Sequence, residues 1–250
     1  YSPWKKAGLE FRAFYKKIFR MPTFNDLYYV QLGSRLLKPE YTTQYNIGAA
    51  YKKHYGKGFL SSLNITLDAY YNEVRDKIIA TPTSNQLVGT MVNLGYVEIR
   101  GIDASVNPRF RLGAAELSTR VSYTYQKAQD FTDAKRVSGL PAVISNYGDQ
   151  IPYIPRHSGS AVLSAIYRGW GVNYSFIYTG ERYMLEGNTP VNYIQPWYTH
   201  DMSFSRDFKL KLVGFRISAE INNIFNQQYE VVKWYPMPGT NFKIILSLSL

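Results

Sequence analysis

The sequence predicts an all-β fold, an antiparallel transmembrane β-barrel of which about ten strands lie in this chain. Three observations lead to this prediction. Apolar residues occupy every second position in the last strand and in nine earlier segments. Most of these segments exceed ten residues, whereas strands of soluble proteins usually have about 5–6. The connections alternate between short and long, which is typical of outer-membrane barrels.

The C-terminal strand shows the alternation most plainly. Apolar side chains stand at every second position from Phe242 to Leu250, and the positions between them include Lys243, Ser247 and Ser249. Side chains of a strand point alternately to its two faces, so this strand has one apolar face.

The same period of two defines the other strands. It is clearest in the third, fifth and ninth candidates, over 63–72, 117–126 and 213–222. The ten candidates span residues 8–19, 41–53, 59–75, 90–109, 114–130, 156–168, 171–184, 196–208, 212–225 and 239–250.

The predicted connections alternate strictly between short and long along the chain. Short ones are predicted at 54–58, 110–113, 169–170 and 209–211, and long ones at 20–40, 76–89, 131–155, 185–195 and 226–238. Short turns face the periplasm and long loops face outward in outer-membrane barrels. If the chain ends on the periplasmic side, every long loop faces outward.

Composition limits the alternatives. Aromatic residues make up 16% of the chain, with 23 Tyr, and tyrosine suits a membrane–water interface because its ring is apolar and its tip polar. A Tyr-rich soluble β protein is the alternative, and it would bury the apolar face inside a sandwich. No run of 18 apolar residues is present, so no membrane-spanning helix is predicted.

Charge and reactive side chains indicate neither a nucleic-acid partner nor an enzyme. The net charge is +11, but the Lys and Arg residues are scattered rather than gathered in a stripe. His54, His157 and His200 lie far apart without a metal-ligand spacing, and cysteine is absent. We therefore expect no catalytic residues, no metal site and no cofactor.

Several short segments, in order along nearly the whole chain, resemble the TonB-dependent outer-membrane receptors. Departures from the family pattern are Asp103 for Glu, Thr240 for Arg and Leu250 for a terminal aromatic residue. The segments that carry the resemblance are Phe19–Tyr28, Leu37–Glu40 with Tyr45–Gly48, Asn93 with Gly101–Asp103, Pro152–His157, Ile221–Tyr229 and Pro238–Gly239.

The resemblance implies a barrel of about 22 strands around a plug domain, located in the outer membrane of a Gram-negative bacterium. Residues 1–250 would be the C-terminal portion of the barrel, with the plug and the N-terminal strands upstream. The implied partners are outer-membrane lipid, the plug, the TonB complex through the N-terminal region and a small-molecule or metal-chelate ligand. A surface lipoprotein is a further candidate partner.

The implied activity is active import of a large, scarce nutrient. The moderately sized loops and the run from Gln150 to His157 favour cobalamin (vitamin B12), with ferric siderophores and haem as alternatives. A passive porin-like channel is a further alternative, which the presence of an upstream plug would exclude.

Two groups of residues are candidates for the binding surface and the lumen. Ring side chains in the long loops would suit a large, partly apolar ligand, although a membrane-interface belt explains any single one of them better. Charged residues on the polar side of the strands would face the plug, unless they pair within the barrel wall. The ring candidates are Tyr28, Tyr29, Tyr147, Tyr153, Trp197, Trp234 and Tyr235, and the lumen candidates are Asp68, Arg120, Arg216 and Glu220.

The Asn222–Asn223 pair has two interpretations. The amides could contact a plug or ligand at the outer end of their strand. Alternatively, they could end the strand by hydrogen bonding to nearby backbone groups.

Overall fold

Ten long strands of the computed structural model pair in chain order into one antiparallel sheet. The structure describes residues 8–30, 32–56, 58–82, 89–132, 146–210 and 213–249. In that part of the chain the strands are β1 (Leu9–Arg20), β2 (Glu40–His54), β3 (Leu60–Pro82), β4 (Gly89–Leu112), β5 (Ala115–Asp130), β6 (His157–Tyr167), β7 (Trp170–Thr179), β8 (Arg182–Tyr183), β9 (Tyr193–Ile194), β10 (Trp197–Leu210), β11 (Val213–Asn222), β12 (Glu230–Val232), β13 (Tyr235–Pro236) and β14 (Asn241–Ser249).

The large sheet runs β1-β2-β3-β4-β5-β6-β7-β10-β11-β14, so each strand lies beside its nearest long neighbours in sequence. Strands β1 and β14 form its edges. The four short strands belong to two small hairpins, β8 with β9 and β12 with β13, which lie within long loops. A five-residue helix, α1 (Phe24–Tyr28), lies in the β1–β2 loop, and a 3₁₀ turn (Pro190–Asn192) precedes β9. The fold prediction is confirmed, and the connections alternate between short and long as expected except between β3 and β4.

The β3–β4 connection differs most from expectation, because residues 76–89 were expected to be a loop. The two strands instead continue in register from Lys77↔Leu94 to Pro82↔Gly89. Residues 83–88 of the expected loop lie outside the described part of the chain. The apolar side chains of Val74, Ile78 and Leu94 are buried there, so packing extends the pair beyond the segment that alternation marks clearly.

Two other strands end earlier than predicted. Strand β7 ends at Thr179 rather than near residue 184, because Arg182 and Tyr183 leave the large sheet and pair with β9. Strand β11 ends at Asn222 rather than 225, since Asn223 has a left-handed backbone conformation with φ of 50°. That conformation cannot continue a strand.

The register separates polar and apolar side chains onto opposite faces, which we name the polar face and the apolar face. Hydroxyl pairs cross the polar face between strands, as in Thr66–Ser105 at 2.7 Å and Ser122–Ser160 at 2.8 Å. The polar face includes Thr66, Asp68, Asp103, Ser105, Ser122, Thr124, Ser160, Ser175, Asp201 and Ser203, and the apolar face includes Ile47, Leu67, Ile102, Val121, Leu163, Val172, Phe204, Ile217 and Leu246.

The apolar face has no protein layer over it in the described part of the chain. Ile244 is 80% exposed and Leu246 is 61% exposed, and apolar side chains of the other long strands are also exposed. The buried hydrophobic cluster lies instead at the long-loop end, where Val97 and Ala128 pack with Ile151. A soluble sandwich would bury this face between two layers, so the sandwich alternative does not fit. Among the described residues, no helix is long and apolar enough to cross a bilayer.

Aromatic residues border the apolar face at both ends. Near the short turns, Phe208 and Phe215 stack with centroids 5.2 Å apart, and Phe59 packs on Phe110 at 5.0 Å. Near the long loops, Tyr198 lies on the same strand and the same face as Phe208. Ten residues of strand span about 33 Å, which becomes about 25 Å after a tilt of roughly 40°. This is about the height of the apolar band of an outer-membrane barrel.

A pair of arginine substitutions on adjacent residues of β6 tests the two faces. In the full-length protein folded into lipid vesicles, Leu163→Arg should lower the free energy of unfolding by about 2–4 kcal/mol, because it places a charge among acyl chains. Ser164→Arg, on the polar face, should cost about 1 kcal/mol or less. Urea unfolding gives both values, and equal costs would contradict the assignment of the faces.

Candidate functional site

The long loops meet at one end of the sheet, where they make contacts that span the gaps between strands. Most of the predicted ligand residues lie at this end.

The β1–β2 loop begins with a capped helix. The Thr23 hydroxyl accepts from the Asp26 backbone N–H at 3.2 Å, and the Asp26 carboxylate accepts from the Thr23 N–H and from Arg20, both at 2.8 Å. Burial would raise the pKa of Asp26, but these hydrogen bonds and the Arg20 charge outweigh it and hold the pKa below its usual value. The ionised carboxylate thus anchors the loop to β1.

The same loop returns to the sheet through two polar contacts. Asn93 accepts from the Lys38 N–H at 2.8 Å and donates to the Lys38 carbonyl at 3.1 Å and to the Asp76 carbonyl at 2.7 Å. Glu40, buried, accepts from Lys77 at 3.2 Å and from the Ile78 N–H at 3.1 Å. The Leu37–Glu40 segment and Asn93, recognised separately in the sequence, therefore form one junction.

Gln150 joins the β5–β6 loop to the β7–β10 loop. Its side chain is buried, donates to the Ile154 carbonyl and accepts from Arg156 at 2.9 Å. Its backbone exchanges two hydrogen bonds with Asn188, at 2.8 and 3.1 Å. A buried amide with all its partners present defines a single loop arrangement.

Arg182 joins the β7–β10 loop to the β12–β13 hairpin. It is 3% exposed and donates to the carbonyls of Glu230 at 3.1 Å and Val231 at 2.9 Å. Burial lowers the pKa of Arg182, and burial also raises the pKa of nearby Tyr153. This cation is satisfied mainly by backbone carbonyls, and its Nε has no hydrogen-bond partner in the described structure.

Asn223 organises the β11–β14 loop. Its amide donates to the carbonyls of Gln227 at 3.0 Å and Pro238 at 3.2 Å and accepts from the Gln227 N–H at 2.9 Å. Its own N–H donates to Asp201 at 2.7 Å, and its carbonyl accepts from the Thr240 hydroxyl at 2.7 Å. Asn222 instead donates to Asn241 on the neighbouring strand at 3.0 Å. The backbone contacts of Asn223 support the strand-ending interpretation for that residue, whereas the contact of Asn222 is to a side chain.

Five of the seven predicted ring residues are exposed on loops. They are spread along the sheet rather than gathered, since the β1–β2 loop and the β11–β14 loop lie near opposite edges. Arg35 lies 5.2 Å from the Tyr28 ring centroid, and Lys233 lies 5.1 Å from that of Trp234. The five exposed rings are Tyr28, Tyr29, Tyr147, Trp234 and Tyr235.

Tyr153 and Trp197 are partly buried and hold the loops in place. The Tyr153 N–H donates to the Tyr183 carbonyl at 2.9 Å. Trp197 stacks on Tyr229 at 4.6 Å, and its buried Nε1 has no hydrogen-bond partner in the described structure. The register places Trp197 on the polar face, so the membrane-belt interpretation does not apply to it.

Trp197 and Tyr229 also line an open cleft of about 600 Å³ between the β7–β10 and β11–β14 loops. Gln227 and Gln228 contribute amides to its wall, and Glu230 and Lys233 contribute charges. The cleft thus combines aromatic rings with several amide and charged groups, so its wall is more polar than that of a usual small-molecule site.

Three of the four predicted lumen residues have partners within the wall. Asp68 pairs with Arg12, and Arg216 pairs with Asp207 through two contacts of 2.5 and 2.7 Å. Arg120 donates to Asn107 at 3.2 Å, and Glu220 lies opposite Lys243 in the register. Such exposed pairs contribute little to stability because solvent screens them, and contact with a plug remains a prediction for all four.

Sequence reasoning missed the buried Arg182 and the partly buried Glu186, and it did not assign a loop-anchoring role to the buried Gln150. No local pattern marks them, because their partners lie between 4 and 49 residues away. Asn93 did carry a signal, since it belongs to a recognised segment. Among the residues that the structure describes, no group of three or more His, Asp or Glu side chains could hold a metal ion.

Comparisons with known proteins agree with this architecture. Residues 4–224 match the family described as TonB dependent receptor-like, beta-barrel. The chain is 25% identical over 229 residues to the vitamin B12 transporter BtuB of Vibrio vulnificus (strain YJ016), covering 90% of this chain and 32% of that protein. The chain therefore spans about a third of the length of this curated relative.

Solved structures share the fold at low identity. The copper transporter OprC superposes with a TM-score of 0.65 at 17% identity, over 94% of this chain and 36% of that one. The ferric yersiniabactin uptake receptor FyuA from Yersinia pestis also gives a TM-score of 0.65, at 12% identity, over 97% of this chain and 33% of that one.

Loop packing at this end should depend on pH through Glu186. Its carboxylate accepts from Asn146 at 2.9 Å, while burial, and then repulsion from Asp130, raise its pKa. The contribution of Glu186 to the stability of the loops is fully present below its unfolded-state pKa. This contribution is lost as pH rises through the raised folded-state pKa. Hydrogen exchange, corrected for intrinsic rates, should show less protection of residues 146–156 and 180–196 at higher pH.

Glu186→Gln should flatten this dependence, because the amide does not ionise. Glu116→Gln, in an exposed pair at the short-turn end, is the matched control and should leave the dependence unchanged. Protection that increases with pH, or the same slope in Glu186→Gln as in the unchanged protein, would contradict this account.

Proposed function

Because this chain belongs to the TonB-dependent receptor-like β-barrel family, we propose that it forms part of the wall of an outer-membrane receptor that imports a large, scarce nutrient. Proteins of this family are outer-membrane β-barrels that bind small-molecule ligands and interact with TonB, and the matched relatives are transporters and receptors rather than enzymes. The remaining strands, the plug and the TonB contact belong to this proposal for the whole protein.

The observation that supports a membrane location most strongly is the bare apolar face between two aromatic borders. In a bilayer every backbone polar group must be paired within the protein, which closed barrels achieve. The ten long strands pair continuously in the large sheet. Strands contributed by the rest of the protein would pair with the edges β1 and β14.

Cobalamin is the leading substrate. The V. vulnificus relative is a vitamin B12 transporter, and the match to it covers 90% of this chain. A corrin ring is large and partly apolar, so exposed rings and a cleft with amide groups would suit it. Tyr28, Tyr29, Tyr147, Trp234 and Tyr235 would contact the ligand, while Tyr153 and Trp197 would support the loops behind them.

Ligand titration of the full-length receptor tests the substrate. Quenching of tryptophan fluorescence should give saturable binding of cyanocobalamin with a Kd of about 1 μM or tighter. Titrations with a ferric catecholate chelate and with haemin identify the alternatives. If the receptor does not bind cobalamin at micromolar concentration but binds either iron compound saturably, that iron compound would replace cobalamin as the proposed substrate.

Conductance measurements test the active-transport part of the proposal. The full-length receptor in a planar bilayer should show no steady channel, since a plug would fill its lumen. A steady open conductance would instead indicate a passive porin.

Trp234→Ala tests the exposed rings. We expect the affinity for cyanocobalamin to fall about tenfold if Trp234 anchors the ligand, because truncating an aromatic hot spot costs more than about 1 kcal/mol. Trp170→Ala is the control: it is 58% exposed, close to the 60% of Trp234, but lies at the short-turn end. Unchanged affinity in Trp234→Ala, or an equal loss in both variants, would remove Trp234 from the binding surface.

A further inference from the structure

On the apolar face, one row of side chains consists of tyrosines on β1, β2 and β3 and of cations on β4 and β5. In the register of β1 to β5, Tyr15, Tyr45, Tyr71, Arg100 and Lys127 lie opposite one another in succession. The three tyrosines contact each other, with ring centroids 5.2 and 6.0 Å apart. They belong to the aromatic border near the long loops, so Arg100 and Lys127 lie at the same level.

Arg100 and Lys127 face each other directly across strands β4 and β5. Side chains in this position have Cβ atoms about 4.5–5.5 Å apart, and like charges there are destabilising. Arg100 pairs with Glu98 at 2.6 Å and lies 5.3 Å from the Tyr71 ring centroid. Glu98 therefore offsets part of the Arg100 charge, whereas the Lys127 side chain has no ion pair or hydrogen bond in the described part of the chain.

The surrounding charge is also positive on balance. Lys17 lies on the same face one row nearer the long loops, and Arg75 lies two rows nearer. Neither side chain forms an ion pair among the described residues. Glu73 and Glu98 are the carboxylates of this patch and lie opposite each other in the register. The patch thus holds four cations and two carboxylates.

The position of Arg100 and Lys127 limits which anion can neutralise their charge. One row nearer the short turns, the same face carries Ile47, Ala69 and Ile102, so the hydrocarbon region begins directly below the cations. Basic side chains at such a boundary attract anionic lipid head groups. An anion that binds here can hold its acyl chains against the apolar strands beneath.

We propose that Arg100 and Lys127 form a binding site for the phosphate group of an anionic lipid in the outer leaflet. The proposal rests on the outer-membrane location proposed above. The lipid phosphate bridges the two cations and removes their repulsion, while Tyr71 packs under the Arg100 guanidinium. The apolar row below makes a lipid, rather than free phosphate, the occupant.

Native mass spectrometry of the full-length receptor in neutral detergent tests this site, with diphosphoryl lipid A as the probe. We expect the double variant Arg100→Gln/Lys127→Gln to bind this lipid at least tenfold more weakly. The control is Lys53→Gln/Arg168→Gln, at the aromatic border near the short turns, where Lys53 lies over Tyr55 and Arg168 over Tyr167. The control should keep the affinity of the unchanged receptor.

A thermal measurement separates this role from a simple structural one. Without anionic lipid, Lys127→Gln should raise Tm or leave it unchanged, because repulsion is removed. With lipid A, the unchanged receptor should gain Tm and the variant should not. Equal lipid binding by the double variant and the control would overturn the site, as would displacement of the lipid by millimolar inorganic phosphate.

The outcomes also separate this inference from the proposed function. Equal lipid binding in variants that still insert into vesicles and bind cyanocobalamin would overturn the lipid site alone. Failure of the unchanged full-length receptor to insert into vesicles would overturn the outer-membrane proposal, and the lipid site with it.

Discussion

Side-chain alternation, held in register by continuous backbone pairing, is the constraint on which the structure depends. A strand presents successive side chains to opposite faces, and a shift of one residue would exchange those faces. Here ten strands keep the same parity, so hydroxyl pairs such as Thr66–Ser105 align on one face while Ile217 and Leu246 align on the other. The exposed apolar face and its aromatic borders follow from this arrangement, and they support the proposed membrane location.

At the long-loop end the backbone leaves the sheet, so its N–H and C=O groups need other hydrogen-bond partners. Asn93, Gln150, Arg182 and Asn223 supply them by bonding to carbonyls and N–H groups of neighbouring loops. Buried polar groups are costly unless they are satisfied, so these contacts define the loop positions. Exposed rings such as Trp234 are then carried on a fixed base, which suits a recognition surface.

The sequence predicted the strands well, because a period of two over ten or more residues is a local signal. It ended β3 at residue 75 rather than Pro82, since the packing of Val74, Leu94 and Val97 with Ile151 depends on a loop far along the chain. The loop anchors could not be predicted for the same reason. Arg182 donates to the carbonyls of Glu230 and Val231 only in the folded chain. Exposed loop rings were found by residue type, but the supporting role of Trp197 needed the structure.

Site-directed spin labelling along β6 tests the central claim most directly, because this chain contains no cysteine. Labels at residues 158–166 of the full-length receptor in lipid vesicles would report accessibility to oxygen and to a water-soluble nickel chelate. Oxygen accessibility should be high and nickel accessibility low at the odd positions 159–165, and the even positions should lack this preference. Low accessibility to both reagents at the odd positions would mean burial under a protein layer and would contradict the account.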